Sequence, residues 1–296
     1  MFEGIIGNNA IKEALIKSVK LNKTSHSYLF LGTEGIGKKL ISKEFAKMIL
    51  CLSDEKYCGN CKSCIEYDSN NNPDFFLIEP IEKSIKINQI REMQKTIYEK
   101  PIISQKKVYI INNADIMTVE AQNCLLKTLE EPPEFVNIIL IGENENNFLS
   151  TIKSRCMIMR FQGIADEEIK KYLKEKYEIN NISQNMLETF QGSIGKAEKL
   201  KDKKEIYEKI EIILNNLENL DIIDTVRNAD IIYKSQEDIY EILDYMNVIL
   251  IKKAQNDYRY TKLIYIVEET KKRLKANGYY NMCIDNMLFS IWEELN

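Results

Sequence analysis

The sequence lacks the features of several large classes of protein. It contains a single histidine, His26, so neither a Ser-His-Asp triad nor a histidine-based metal centre can be built from this chain. Its longest apolar runs, such as residues 248–251, are far shorter than the ~20 residues that cross a bilayer. Charged residues are scattered through positions 1–20, unlike the apolar core of a secretory signal. We therefore expect a cytoplasmic chain that makes no membrane contact.

The chain also lacks a strong charge of one sign. Its 45 acidic and 41 basic residues give a net charge of -4, which differs from the cationic surface of a protein that binds nucleic acid by itself. Any contact with DNA is therefore expected to be shared with partner proteins. The length of 296 residues is sufficient for two or three domains.

Cysteine is unevenly distributed along the chain. Four of the seven cysteines have the spacing C-x6-C-x2-C-x2-C, and they are Cys51, Cys58, Cys61 and Cys64. Such a cluster is typical of metal ligands in a reducing compartment, and four thiolates favour a tetrahedral Zn²⁺ ion. Because four protein ligands leave no open position for water, the predicted zinc site is structural. Clustered free thiols are the alternative, and disulfides are less favoured.

Residues 27–40 read SYLFLGTEGIGKKL, an apolar strand followed by a glycine-rich turn and the start of a helix. The phosphate-binding pattern G-x-x-x-x-G-K-[ST] is matched by Gly32, Gly37 and Lys38, with Gly35 inside the turn. Lys39 replaces the hydroxyl residue, and an ammonium group cannot ligate Mg²⁺ because it has no acceptor. These five residues form a candidate phosphate site, and whether it binds ATP or ADP is left open.

A second position departs from the pattern of P-loop ATPases. The strand predicted at 108–111 ends in Asn112 and Asn113, where such enzymes place an aspartate for Mg²⁺ and a glutamate for the attacking water. An amide has neither the charge nor the basicity of a carboxylate. Asp115 is interpreted as the cap of a helix that begins near Thr118. Hydrolysis by this chain alone is therefore not expected.

Strand and helix patterns alternate over residues 1–162. Five apolar runs predict the strands, at 27–31, 75–78, 108–111, 138–141 and 157–161. The alternation predicts an α/β domain with a parallel sheet between helical layers and a ligand site at the carboxyl ends of the strands. The helix at 118–130 is predicted to bury Val119, Leu125, Leu126 and Leu129. Beyond residue 163 only helical patterns occur, and the charged stretch 201–204 is the predicted boundary between a helical lid and a second helical domain.

Two further basic residues are candidates for phosphate contacts. Arg155, in the sequence Ser154-Arg155-Cys156, lies just before the last predicted strand, where an arginine can reach the γ-phosphate of a neighbouring subunit. An ordinary surface salt bridge is the alternative. Lys196 follows Gly195 and could contact a phosphate from the lid side, although a solvated lysine at a helix start fits equally well.

Taken together, these motifs resemble the bacterial clamp-loader family of AAA+ proteins. The resemblance is carried by residues 25–30, the phosphate loop, the four cysteines, residues 125–133 (LLKTLEEPP) and Ser154-Arg155-Cys156. Lys39 and the pair Asn112-Asn113 are similar to the delta-prime branch of that family rather than to its ATP-hydrolysing gamma/tau branch.

The resemblance implies a three-domain organisation. It comprises an AAA+ P-loop domain at 1–162 with a zinc-binding insertion at 51–64, a helical lid at 163–203, and an all-α collar for oligomerisation at 204–296. It also implies a non-hydrolysing stator subunit of the DNA polymerase III clamp loader, which works with gamma/tau and delta subunits to load the sliding clamp onto primed DNA. Arg155 would be an arginine finger for an adjacent ATPase subunit. An active gamma/tau-like ATPase or another stand-alone P-loop enzyme is the alternative.

Overall fold

The computed structural model describes residues 2–54, 57–219, 230 and 232–295, without the side chain of residue 219. Contacts divide the chain into two compact units, one of residues 1–168 with 192–195 and the other of residues 169–191 with 196–296. The strands and helices up to residue 160 are α1 Asn9–Lys20, β1 Ser27–Leu31, α2 Lys38–Leu50, α3 Lys62–Asp68, β2 Phe75–Ile78, α4 Ile87–Ile97, β3 Lys107–Ile111, α5 Val119–Glu130, β4 Val136–Gly142, α6 Ser150–Lys153 and β5 Met157–Arg160.

The first unit is built on a five-stranded sheet with the order β2-β3-β4-β1-β5. All four strand pairings are parallel, which confirms the prediction from the alternating patterns. Strand β1 lies between β4 and the edge strand β5, so the loop that follows it emerges at the carboxyl edge of the sheet. This edge is where parallel α/β sheets bind ligands.

Each face of the sheet is covered by its own apolar cluster. Because side chains alternate along a strand, Tyr28 and Phe30 of β1 pack with Phe45 of α2 on one face. Leu29 and Leu31 point to the other face and belong to the cluster of α4 and α5. The first unit is therefore a three-layer α/β/α structure, as the sequence predicts.

The prediction that Val119 is buried is wrong. Val119 is 57% exposed, whereas Leu125 and Leu129 are buried. Val119 is the first residue of α5 and lies six positions before Leu125, which places it about 120° around the helix axis from that residue. Val119 therefore lies outside the buried apolar stripe of α5.

The second unit is entirely helical where it is described. The helices from residue 166 onward are α7 Asp166–Tyr177, α8 Gln184–Phe190, α9 Ile194–Glu198, α10 Leu200–Asn216, α11 Ile239–Ala254, α12 Arg259–Lys275 and α13 Tyr280–Leu295. Helices α7 and α9 begin in residues assigned to the first unit and continue into the second. The predicted boundary at 201–204 falls inside α10 rather than on a linker. The division into a separate lid and collar remains a prediction. Within the described residues, no helix combines the length and apolar character that a membrane span requires.

Candidate functional site

The glycine-rich turn after β1 has the backbone conformation that its glycines predict. Gly35 and Gly37 have φ angles of +77° and +92°, in the left-handed region where a side chain would be strained. Residues 192–195 pack on this turn, since the Gly195 amide donates a hydrogen bond to the Gly35 carbonyl at 3.0 Å. A Cβ atom on Gly35 would lie 2.2 Å from the Ser193 hydroxyl. Gly35 is thus required by both its φ angle and this close approach.

Lys38, the lysine of the phosphate-binding pattern, is bound to its own loop. Its side-chain ammonium donates to the Gly32 carbonyl at 2.5 Å and to the Thr33 carbonyl at 2.7 Å. The residue is only 7% exposed, and burial lowers its pKa, an effect that the carboxylates of Glu143 and Asp115 partly oppose. The loop carbonyls therefore satisfy an ammonium that in P-loop enzymes contacts phosphate.

Lys39 takes part in an ion pair at the carboxyl edge of the sheet. Its ammonium lies 2.6 Å from Oε1 of Glu79, and the Asn112 side-chain amide donates to the same oxygen at 3.2 Å. The hydrogen bond from Lys39 is the main reason that the pKa of Glu79 is lowered. Glu79 follows β2 and Asn112 follows β3, so the cluster Lys39–Glu79–Asn112 lies where a P-loop ATPase needs a hydroxyl and a carboxylate for Mg²⁺. An ammonium there repels a divalent cation.

Asp115 does not cap α5, and that interpretation is wrong. Its carboxylate accepts hydrogen bonds from the amides of Glu143 at 3.1 Å and Asn144 at 3.2 Å, just after β4. The cap of α5 is Thr118, whose hydroxyl accepts from the Ala121 amide at 3.2 Å. Asp115 lies in a short 3₁₀ turn, Ala114–Ile116, that ends before α5 begins, so its side chain reaches the neighbouring strand end instead.

Arg155 follows α6, and its guanidinium donates three hydrogen bonds to described residues. One terminal nitrogen donates to the Thr151 carbonyl at 2.9 Å and to the Ser154 hydroxyl at 3.3 Å. The other donates to Oε1 of Glu130 at 2.6 Å. The side chain remains 32% exposed. The guanidinium thus makes a surface salt bridge, as one sequence alternative predicts, and is also in part accessible to a partner.

Lys196 cannot be assigned to the phosphate loop from the structure. It lies in α9 and belongs to the second unit, whereas Gly35, Lys38 and Lys39 belong to the first. Its contact with a phosphate remains a prediction.

The four clustered cysteines fit a tetrahedral metal ion. The sulfur atoms of Cys51, Cys58, Cys61 and Cys64 all lie within 4.8 Å of one another. The Cys51 and Cys58 sulfurs are 3.7 Å apart, close to the ~3.8 Å edge of a tetrahedron with metal–sulfur bonds of ~2.3 Å. The amides of Cys58 and Cys61 donate to the Cys51 and Cys58 sulfurs at 3.4 and 3.3 Å. Such N–H···S bonds stabilise thiolates, the form that binds metal.

The surroundings of the thiols differ in polarity. Burial raises the pKa of Cys51 and of Cys64, both of which are buried. Burial also disfavours the thiolate of Cys61, but the backbone amides of Leu52 and Cys64 and the neighbouring thiols outweigh it and lower its pKa to about 6. A bound Zn²⁺ would hold all four sulfurs as thiolates and would close the insertion as a structural cross-link.

The cysteine cluster lies far from the phosphate loop. Cys51 is the C-cap of α2, a helix of 13 residues that begins at Lys38, so the two sites are separated by about 20 Å along its axis. Cys64 lies on α3, which is tied to α2 by the Lys47–Asp68 ion pair at 2.6 Å. This distance fits a structural role for the cluster and argues against a part in phosphate chemistry.

Sequence reasoning missed Glu79 and Glu130, the two carboxylates that hold Lys39 and Arg155. Glu79 stands directly after a predicted strand, as Asn112 does, so its place at the carboxyl edge was available as a signal. Glu130 lies within the LLKTLEEPP stretch, but only the fold brings it to Arg155 from 25 positions away.

The sequence has relatives among the subunits of DNA polymerase III. A family model described as "DNA polymerase III, delta subunit" matches residues 7–165, more than half of the chain. The DNA polymerase III subunit delta' of Bacillus subtilis is 38% identical over 167 residues, covering 56% of this chain and 51% of the relative. The subunit tau/gamma of Haemophilus influenzae is 30% identical over 251 residues, covering 82% and 36%. The matched region therefore spans about half or less of these relatives.

A solved structure supports the same assignment at the level of the fold. A DNA polymerase III gamma subunit-related protein from Thermotoga maritima superposes with a TM-score of 0.55 at 18% identity, covering 95% of this chain and 99% of that protein. Together with the parallel sheet and helical second unit, this likeness establishes an AAA+ fold followed by an all-helical region. The chain therefore belongs to the delta-prime family of DNA polymerase III subunits.

Proposed function

We propose that this chain is the stator subunit of a DNA polymerase III clamp loader and does not hydrolyse ATP by itself. In this role it assembles with gamma/tau and delta subunits in the cytoplasm and helps to load the sliding clamp onto primed DNA. Residues 163–203 act as its helical lid, and residues 204–296 act as the collar that joins the subunits. Family membership supports the proposal, since relatives are named delta' and gamma/tau subunits.

The observation that carries the non-hydrolysing part is the cluster Lys39–Glu79–Asn112. Its ion pair of 2.6 Å puts a fixed positive charge beside the phosphate loop, where hydrolysis needs Mg²⁺. Asn112 contributes an amide rather than the carboxylate that would bind the cation. The loop therefore lacks the hydroxyl and the strand-end aspartate that order Mg²⁺ in P-loop ATPases, and the carboxylate of Glu79 is engaged by Lys39.

Arg155 is proposed to act in trans on a neighbouring ATPase subunit. It lies between α6 and β5, is partly exposed, and is oriented by three hydrogen bonds. A preoriented guanidinium can stabilise the negative charge that develops on a transferring phosphate. The function of this chain is then to complete a catalytic site that it does not itself contain.

The direct test of the non-hydrolysing proposal is ATP turnover by the purified chain. We expect turnover at the background rate, and we expect the Lys38→Ala variant to give the same value. A gamma/tau-like ATPase is the alternative, favoured by the retained Gly37 and Lys38 and by the match to a tau/gamma subunit over 82% of the chain. Clear turnover by the lone chain, abolished in Lys38→Ala, would establish that alternative.

A further inference from the structure

The LLKTLEEPP stretch ends helix α5 with Glu130, for which the proposed function provides no role. We propose that Glu130 is a positioning residue that holds Arg155 in the orientation needed by the neighbouring ATP site. This inference rests on the proposed action of Arg155 in trans. Its basis is the hydrogen bond of 2.6 Å between a terminal nitrogen of Arg155 and Oε1 of Glu130.

Among the residues that the structure describes, Glu130 accepts the one hydrogen bond that joins the guanidinium to a different part of the fold. The other two acceptors, the Thr151 carbonyl and the Ser154 hydroxyl, belong to the turn that carries Arg155 itself. They fix one end of the guanidinium relative to α6. The carboxylate of Glu130 fixes the other end relative to α5, so that the plane of the group is held from two directions.

Helix α5 is a firm support for this contact. At its first turn, the Thr118 hydroxyl caps the helix. The buried side chain of Gln122 donates to the Asn147 carbonyl at 2.8 Å and accepts from the Leu149 amide at 2.9 Å. These two bonds tie α5 to the segment that leads directly into α6. Glu130 and Arg155 are therefore carried by elements that are fixed to each other.

The pair is better suited to orientation than to stability. The side chains of Glu130 and Arg155 are 48% and 32% exposed, and ion pairs of this kind contribute little to folding. The stabilisation of a bound phosphate, by contrast, depends strongly on how the donor groups are oriented before the phosphate binds. Within the described residues the guanidinium donates three hydrogen bonds, so two of its five N–H groups remain for a phosphate oxygen.

The test is a double-mutant cycle in the reconstituted clamp loader, with ATP hydrolysis measured in the presence of clamp and primed DNA. We expect Glu130→Ala to lower turnover at the site that Arg155 completes by about three- to tenfold, so that total kcat falls in the same direction as in Arg155→Ala but by less, and to leave KM for ATP within about twofold, because orientation rather than ATP binding is lost. Glu130→Gln, whose amide oxygen can still accept a hydrogen bond, should fall between Glu130→Ala and the wild type. In an Arg155→Ala background, Glu130→Ala should cause no further loss.

Glu131→Ala is the matched control, since Glu131 is the exposed neighbour of Glu130, and it should retain the wild-type rate. Equal losses for Glu130→Ala with and without Arg155 would assign Glu130 a merely structural role and overturn the inference. An unchanged or raised rate in Glu130→Ala, beside a lowered rate in Arg155→Ala, would also overturn it while leaving the proposed function intact. An unchanged rate in Arg155→Ala would instead refute the action of Arg155 in trans, and the positioning role with it.

Discussion

At the scale of single residues, Lys39 distinguishes this chain from a P-loop ATPase. Its pairing with Glu79 gives the substitution a structural explanation, because the lysine is held by a carboxylate at the end of an adjacent strand. An ammonium group thus stands at the position where the phosphate-binding pattern has a hydroxyl. The phosphate loop itself keeps the left-handed conformations of Gly35 and Gly37.

The ion pair predicts a pH-dependent contribution to stability. Because the folded-state pKa of Glu79 lies below its unfolded value, its stabilisation is complete at neutral pH and disappears as the pH falls through the folded pKa. Lys39→Met should therefore lower the free energy of unfolding at pH 7 by no more than about 1 kcal/mol, since both side chains are exposed. The difference from the wild type should shrink as the pH falls below the ordinary carboxyl pKa and disappear once Glu79 is protonated in the folded state, measured by denaturant unfolding.

Glu79→Gln provides the control for this prediction. In that background, Lys39→Met should show no pH-dependent loss, because the carboxylate that titrates is absent. A loss that does not change as the pH is lowered from 7 through the carboxyl range, or one that survives in Glu79→Gln, would show that Lys39 acts through something other than Glu79.

The sequence predicted contacts correctly where the partners are close together in the chain. It did not predict contacts between residues that only the tertiary fold brings together. The cysteine spacing identified four side chains that the structure brings within 4.8 Å. Asp115, by contrast, binds backbone amides 28 and 29 positions away rather than capping the next helix. Glu130 and Arg155 are likewise brought together only by the packing of α5 against α6.

At the scale of elements, the strands were predictable because their apolar runs are buried on both faces of a parallel sheet. Strands β1, β3 and β4 are buried throughout and match runs visible in the sequence. Helix α3 was not predicted. It has only seven residues and buries only Ser63 and Cys64, so it shows no apolar stripe.

The cysteine cluster predicts a metal ion on which helix α3 depends. Four cysteine sulfurs within 4.8 Å of one another should bind about one Zn²⁺ ion per chain, measured by elemental analysis. Because a helix as short as α3 is unstable on its own, it should need this ion to stay folded. Removal of the ion with a chelator should speed amide hydrogen exchange in Lys62–Asp68 while β1 and β4 remain protected. This outcome would follow from loss of the cross-link between Cys51 and Cys64.

Two substitutions separate metal binding from general effects of thiol loss. Cys61→Ser should release the ion, whereas Cys124→Ser, which alters a cysteine outside the cluster, should retain it. Protein purified without chelator that contains no zinc, or a Cys61→Ser variant with full metal content, would contradict the assignment.

At the scale of the whole molecule, an α/β unit with an AAA+ fold is combined with a second unit that is helical where it is described. The first unit carries the two features for which we propose a relation to ATP, the altered phosphate loop and the partly exposed Arg155. The central claim is that this chain acts on ATP held by a neighbour rather than on ATP of its own. The Lys39–Glu79 ion pair supports this proposal together with the motifs of the sequence.

The most direct measurement is the ATPase rate of the reconstituted clamp loader with clamp and primed DNA, comparing Arg155→Ala with Arg160→Ala. Arg160 is a suitable control because it is an exposed arginine of β5 that also pairs with a glutamate, Glu145, at 2.9 Å. An arginine finger contributes ~10³–10⁵ to the turnover of the site it completes. We expect Arg155→Ala to silence one site and lower total turnover while the complex still assembles, and Arg160→Ala to retain the full rate. An Arg155→Ala complex that assembles and hydrolyses ATP at the wild-type rate would contradict the account.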